Sequence, residues 1–148
     1  MSLLDWLNDG WVKTQKSSSR EIKNLMGIAG RDLNQSQLAG LSNDTRLTIA
    51  YNAALQCCAA ALAASGYRVS HEAHHYRLIQ SLSFTLNLDN SVIKLLDDFR
   101  KKRNISDYQR AGTVSAQEAK EMYELALQLR RQVVEWIRNN HPELAREI

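Results

Sequence analysis

Proline is almost missing from this chain of 148 residues; the one example, Pro142, stands near the end. Helix interiors are therefore free of the residue that removes an amide donor and clashes with the preceding turn. Glycine occurs six times, and no stretch alternates apolar and polar residues in the way a half-buried strand does. Cysteine is confined to Cys57 and Cys58. Adjacent helical side chains diverge, which excludes a disulfide between them. No C-x-x-C is present, so redox and thiolate-metal motifs are excluded, and free thiols packed as small apolar groups suit a reducing cytoplasm. Charge of one sign is also scarce: the net charge of +3 gives no domain-wide polyanion-binding surface. The longest apolar run, Cys57 to Ala64, falls far short of the roughly 20 residues that span a bilayer. The N-terminus carries Asp5 and no basic segment followed by an apolar one, so no signal peptide is expected. These absences describe a cytoplasmic protein without a membrane segment.

What is abundant is helix-forming: Ala, Leu, Gln, Arg and Glu. A first helix is expected over about Leu3 to Lys13. Ser18 and Glu21 have capping-box spacing for a second, which carries Ile22, Leu25, Met26, Ala29 and Leu33 and fades toward Gly40. Ser42 or Asn43 opens a third helix, apolar nearly all round and ending at Gly66, which marks it as central. Ser70 is the expected cap of a fourth helix reaching about Leu86, and Asp89 or Asn90 that of a fifth ending near Tyr108. Ser115 and Glu118 form a further capping box before a helix with Met122, Leu125, Ala126, Leu129, Val133, Trp136 and Ile137 on one face, stopped at Asn139–Pro142. Short connections predict an all-α, up-and-down bundle over 41–148, with a helical extension over 1–40 and one compact domain overall. The tryptophans Trp6 and Trp11 and the leucines of the first helix are more apolar than a small bundle needs, which points to a homodimer.

The most informative segment is Asp97 to Tyr108. Val92, Leu96, Phe99 and Arg103 share one helical stripe, so a guanidinium ends an apolar face. Arginine keeps its charge, and there it needs a carboxylate, helix-end carbonyls or a bound phosphate. Arg100, Lys101, Lys102 and Arg110 crowd the same end, and Arg130, Arg131 and Arg138 lie on the last helix; a local patch of that kind attracts phosphate. Upstream, His71-Glu72-Ala73-His74-His75 spells H-E-x-x-H, the spacing of two zinc ligands and a general base. The context argues against it. His71 would fall in the first helical turn, Leu78 and Ser81 stand where an extended motif has its glycine and third histidine, and a further ligand would come from Asp89, Asp97 or Asp98. No metal or other cofactor is expected.

The run Phe99-Arg100-Lys101-Lys102-Arg103-Asn104-Ile105-Ser106-Asp107-Tyr108, then Ser115-Ala116-Gln117-Glu118-Ala119 and a long amphipathic helix, resembles the HEPN superfamily. It is most similar to small stand-alone prokaryotic HEPN proteins carrying R-x4-Y in place of R-x4-H. The Ala-rich third helix and the histidines opening the fourth extend the resemblance over about Asn43 to Asn140. It implies a dimeric helical bundle with the Arg motifs of two protomers at a cleft. Active members are metal-independent endoribonucleases of toxin–antitoxin or defence systems, and others are non-catalytic modules paired with a nucleotidyltransferase. Arg103 matches the motif arginine, Asn104 the polar residue after it, and Tyr108 stands where the histidine would be. A phenol, with a pKa of about 10, is a poor base at pH 7. Asp107, or one of His71, His74 and His75 if the fourth helix lies beside the motif, is then the expected substitute.

Overall fold

The structure, a computed structural model, describes the backbone of residues 1–108 and 111–148. Its helices are α1 (Leu3–Asn8), α2 (Ser19–Gln35), α3 (Asn43–Ala64), α4 (His74–Thr85), α5 (Asn90–Tyr108) and α6 (Ala116–Asn140), with a closing 3-10 turn at Pro142–Leu144. Two short strands, β1 (Val12–Thr14) and β2 (Tyr67–Val69), complete it. The protein is an all-α helical bundle with α3 at its centre.

Helix α3 packs against α2, α4, α5 and α6. Leu47, Ala50, Tyr51, Ala53, Ala54, Cys57, Cys58, Ala60, Ala61 and Leu62 on it are all shielded from solvent. Its alanines let four neighbours approach at once, while its few large side chains fill the space between them. By length and composition α3 is apolar enough to cross a membrane, but most of that surface is used inside the bundle. Helix α6 buries Met122, Ala126, Leu129, Val133 and Ile137 as one stripe, as the 3.6-residue period predicts. Residues 1–40 belong to the same core: Trp6, Val12, Ile22, Met26 and Leu33 join it.

Serine caps set most helix starts. Ser42 accepts from the Thr45 amide, and Ser115 and Glu118 make both bonds of their capping box. Ser18 accepts from the Glu21 amide, but the Glu21 carboxylate accepts from Gln15 Nε2 at 2.9 Å instead of closing the box. At the other end α6 stops at Asn140, just ahead of Pro142.

Two expectations are corrected. The first helix does not reach Lys13. It ends at Asn8; Gly10 adopts φ +78°, a conformation open to glycine at little cost, and the chain leaves as β1. That strand pairs antiparallel with β2, Val12 opposite Val69 and Thr14 opposite Tyr67. Nor does Ser70 cap α4. Its amide donates to Trp11 O at 2.9 Å and its hydroxyl to Gly10 O at 2.8 Å, so the strand pair has taken both groups. Helix α4 starts four residues later, after Ala73 in the left-handed region (φ 50°, ψ 41°), with no side-chain cap.

Candidate functional site

Three helices meet around Tyr51. It projects from α3 into the core, fully buried, and its hydroxyl has no hydrogen-bond partner among the described residues. Burial pushes its pKa up first, with the neighbouring Cys58 adding to the shift and the Arg100 and Arg103 charges opposing it. From α4, the His75 ring meets the Tyr51 ring edge-on, centroids 5.9 Å apart. From α5, the guanidinium carbon of Arg103 lies 5.8 Å from the Tyr51 centroid. The stripe Val92, Leu96, Phe99 and Arg103 explains the last placement. Leu96 and Phe99 are buried and fix the rotation of α5, so Arg103 comes to the edge of the core half-buried.

His75 is half-buried and its pKa is lowered, first by burial, then by the positive charge of Arg103, by His74, and by Arg100. Each disfavours the imidazolium. At pH 7 the site therefore holds a neutral imidazole, which can accept a proton, beside two permanent cations. His74 is lowered too, by its own burial and by His71. Folding thus keeps both rings deprotonated, and the unfolded chain binds protons more readily. Stability is complete above the ordinary histidine value of about 6.5 and falls as the pH drops toward the depressed folded values. Urea unfolding is expected to show a midpoint that declines below about pH 6.5, with a shallower decline in His75→Gln. Equal slopes for the two proteins would mean that His75 titrates normally.

The basic run is partly neutralised from within. Arg100 Nε donates to Asp97 at 2.7 Å, Lys101 Nζ lies 3.5 Å from the other Asp97 oxygen, and Lys102 Nζ lies 3.4 Å from Glu118. Burial works to raise the Asp97 pKa, but the hydrogen bond and charge of Arg100, then those of Lys101, hold the carboxyl below the usual range. Glu118 is lowered chiefly by the Ser115 amide. Asn104 sits half-buried one position beyond Arg103. The side chains of Asp107 and Tyr108, and all of Arg110, lie outside the described residues. On the last helix, Arg130 donates to Met26 O at 3.2 Å across Gly30, so it acts as a strut between α6 and α2.

Among the described residues His75 is the histidine that meets Tyr51, and the His74 ring lies 5.9 Å from the His75 ring. His71 precedes α4, so His71 and His75 are not a helical i, i+4 pair, and Glu72 is not in the first helical turn. Asp97 faces its own cations, and Asp98 pairs with Lys94 at 3.0 Å. The H-E-x-x-H spacing thus does not become a ligand pair, and no cluster of three His, Cys, Asp or Glu forms among the described residues. His71 and His74 instead border a depression of about 420 Å³ along β2, with Lys13, Arg68, Leu62 and Leu78; Arg100, Arg103 and His75 do not line it. Burial raises the Cys57 thiol to about 12 and Cys58 higher still, so neither is a nucleophile.

Tyr51 is a site residue that the sequence did not single out. A single phenol among the alanines and leucines of a central helix was the available signal, since a buried hydroxyl asks for a reason. No family model matches the chain, and no curated protein is similar to it.

Proposed function

We propose that the chain is a HEPN-type RNA-binding endoribonuclease, acting without a metal in the cytoplasm, with His75 in the role that Tyr108 is poorly suited to fill. The observation that carries this reading is that His75 and Arg103 converge on the same Tyr51 ring, from α4 and from α5, with burial and then the Arg103 charge lowering the His75 pKa. The R-x4-Y resemblance supplies the substrate class. Arg103, with Arg100, grips the phosphate. His75 takes the proton of the adjacent 2′-hydroxyl, O2′ attacks phosphorus, and the bond to O5′ breaks. The products are a 2′,3′-cyclic phosphate and a 5′-hydroxyl that takes its proton from water. Asn104 and Tyr108 assist by hydrogen bonding to phosphate, and Lys101, Lys102 and Arg110 attract the backbone.

The test is cleavage of a mixed RNA pool in EDTA. The wild type is expected to yield cyclic-phosphate ends, and Arg103→Ala, with an unchanged circular dichroism spectrum, to lose at least about 100-fold in rate, as loss of a charged transition-state contact does. No cleavage by either protein would refute the ribonuclease reading.

One observation favours a second reading, a non-catalytic dimeric module working with a nucleotidyltransferase or antitoxin. Asp97 and Glu118 already engage Arg100, Lys101 and Lys102, which weakens the patch as an RNA grip. Trp6 no longer argues for a dimer, because it packs on Phe84 at 5.1 Å within its own bundle. Leu95 and Ile105, 42% and 39% exposed on the open side of α5, are the better surface for a second copy.

A further inference from the structure

Next to the Arg103 site the bundle carries a second group of aromatic and cationic side chains that cleavage chemistry does not use. Tyr76 follows His75 on α4 and is 43% exposed, the one exposed Phe, Trp or Tyr among the described residues. The Arg100 guanidinium lies 5.4 Å from its ring centroid, so Tyr76 touches the phosphate-gripping residues on that side. It also lines a pocket of about 300 Å³ with Trp6, Trp11, Arg77, Gln80 and Phe84. The Arg77 guanidinium carbon lies over the Trp11 ring, 4.0 Å from its centroid. Trp11 and Trp6 meet edge-on at 5.9 Å, and Trp6 packs edge-on against Phe84 at 5.1 Å, so the protein's own contacts assemble the wall.

We propose that this pocket takes a nucleobase: the unpaired base next to the phosphate held at Arg100 and Arg103, stacked on Tyr76 with the Arg77–Trp11 pair beside it. The proposal rests on the phosphate-binding reading of the Arg103 site and narrows its substrate to single-stranded RNA. Bases in a duplex present no free face for an aromatic side chain, whereas unstacked bases do. The guanidinium groups at these rings add positive charge to the pocket. Gln80 offers an amide that can meet a base edge, and 300 Å³ admits one base. The continuity is geometric: His75 and Tyr76 are consecutive, one turned to Tyr51 and the other to Arg100, so a strand whose phosphate lies at the guanidiniums has its neighbouring base within reach of the pocket.

The test uses a short deoxyadenosine oligomer, which lacks the 2′-hydroxyl and cannot be cleaved, and an abasic sugar-phosphate oligomer of equal length. Both are titrated into wild type and Tyr76→Ala, following tryptophan fluorescence and oligomer anisotropy. The wild type is expected to bind the base-bearing oligomer roughly tenfold more tightly than the abasic one, with fluorescence quenched only by the former. Tyr76→Ala should erase that difference. Equal wild-type affinity for the two oligomers would overturn the pocket and leave the phosphate site standing. Binding of neither would overturn the phosphate site and the pocket with it. If Tyr76→Ala instead dissociates a dimer in sedimentation and leaves both affinities unaltered, the surface belongs to a second copy and the proposal fails.

Discussion

Replacing His75 with glutamine is expected to slow RNA cleavage by about 10²–10⁴-fold, the usual worth of a positioned general base, with little change in fold. Glutamine keeps a planar polar group of similar reach beside Tyr51 but cannot take a proton at neutral pH. The effect should fall on kcat, with KM nearly unchanged, because in the proposed mechanism Arg100 and Arg103 hold the phosphate without His75. The pH profile gives a second check. Burial and the two guanidiniums hold the His75 pKa below its ordinary value, so the wild-type rate should still be rising below pH 6.5 and level off by neutrality, and the Gln variant should lose that limb. A His75→Gln enzyme as fast as wild type, with the same acid limb, would remove His75 from the chemistry and return the role to Asp107 or Tyr108.

Leu129→Ala is expected to destabilise the bundle by about 2–5 kcal/mol, the range for truncating a buried leucine. Leu129 is 1% exposed, at the middle of the α6 stripe that packs on α3. Helix α3, against which α6 packs, is rich in buried alanines, which have no rotamers with which to fill a gap, so the cost should fall toward the upper half of that range. For a domain of this size each kcal/mol moves the melting temperature by roughly 2–4 °C, so the midpoint should fall on the order of 10 °C. Thermal unfolding followed by circular dichroism measures it. A shift under about 2 °C would mean that α6 is less tightly docked on α3 than its burial indicates.

The helical character of the chain was legible because its signals are local. Serine at Ser18, Ser42 and Ser115 caps the next turn wherever the rest of the chain lies, and Pro142 stops α6 by its own stereochemistry. The 3.6-residue period also oriented α5: Leu96 and Phe99 had to face inward, and Arg103 came with them. Strands of three residues, by contrast, hold too little pattern to show a period. The partners Val12 and Val69 are far apart in sequence, so their pairing depends on α2 and α3 folding between them. That pairing then took the polar groups of Ser70 and moved the start of α4, which sets where His75 stands.

By itself the sequence determined an all-α bundle, a central α3 and an arginine at the edge of the core, since propensity, capping and periodicity act within a few residues. Helix packing settled which histidine meets the Tyr51 ring that Arg103 also meets. His71, His74 and His75 are chemically alike and nearly adjacent, and no local rule separates them. The packing of α4 against α3 and α5 turns His75 to Tyr51, with the His74 ring 5.9 Å from it, while His71 and His74 border the depression along β2. The same docking makes Asp97 and Glu118 the counter-charges of the basic run. Charge and proton affinity depend on distances between elements, which are fixed when the helices pack.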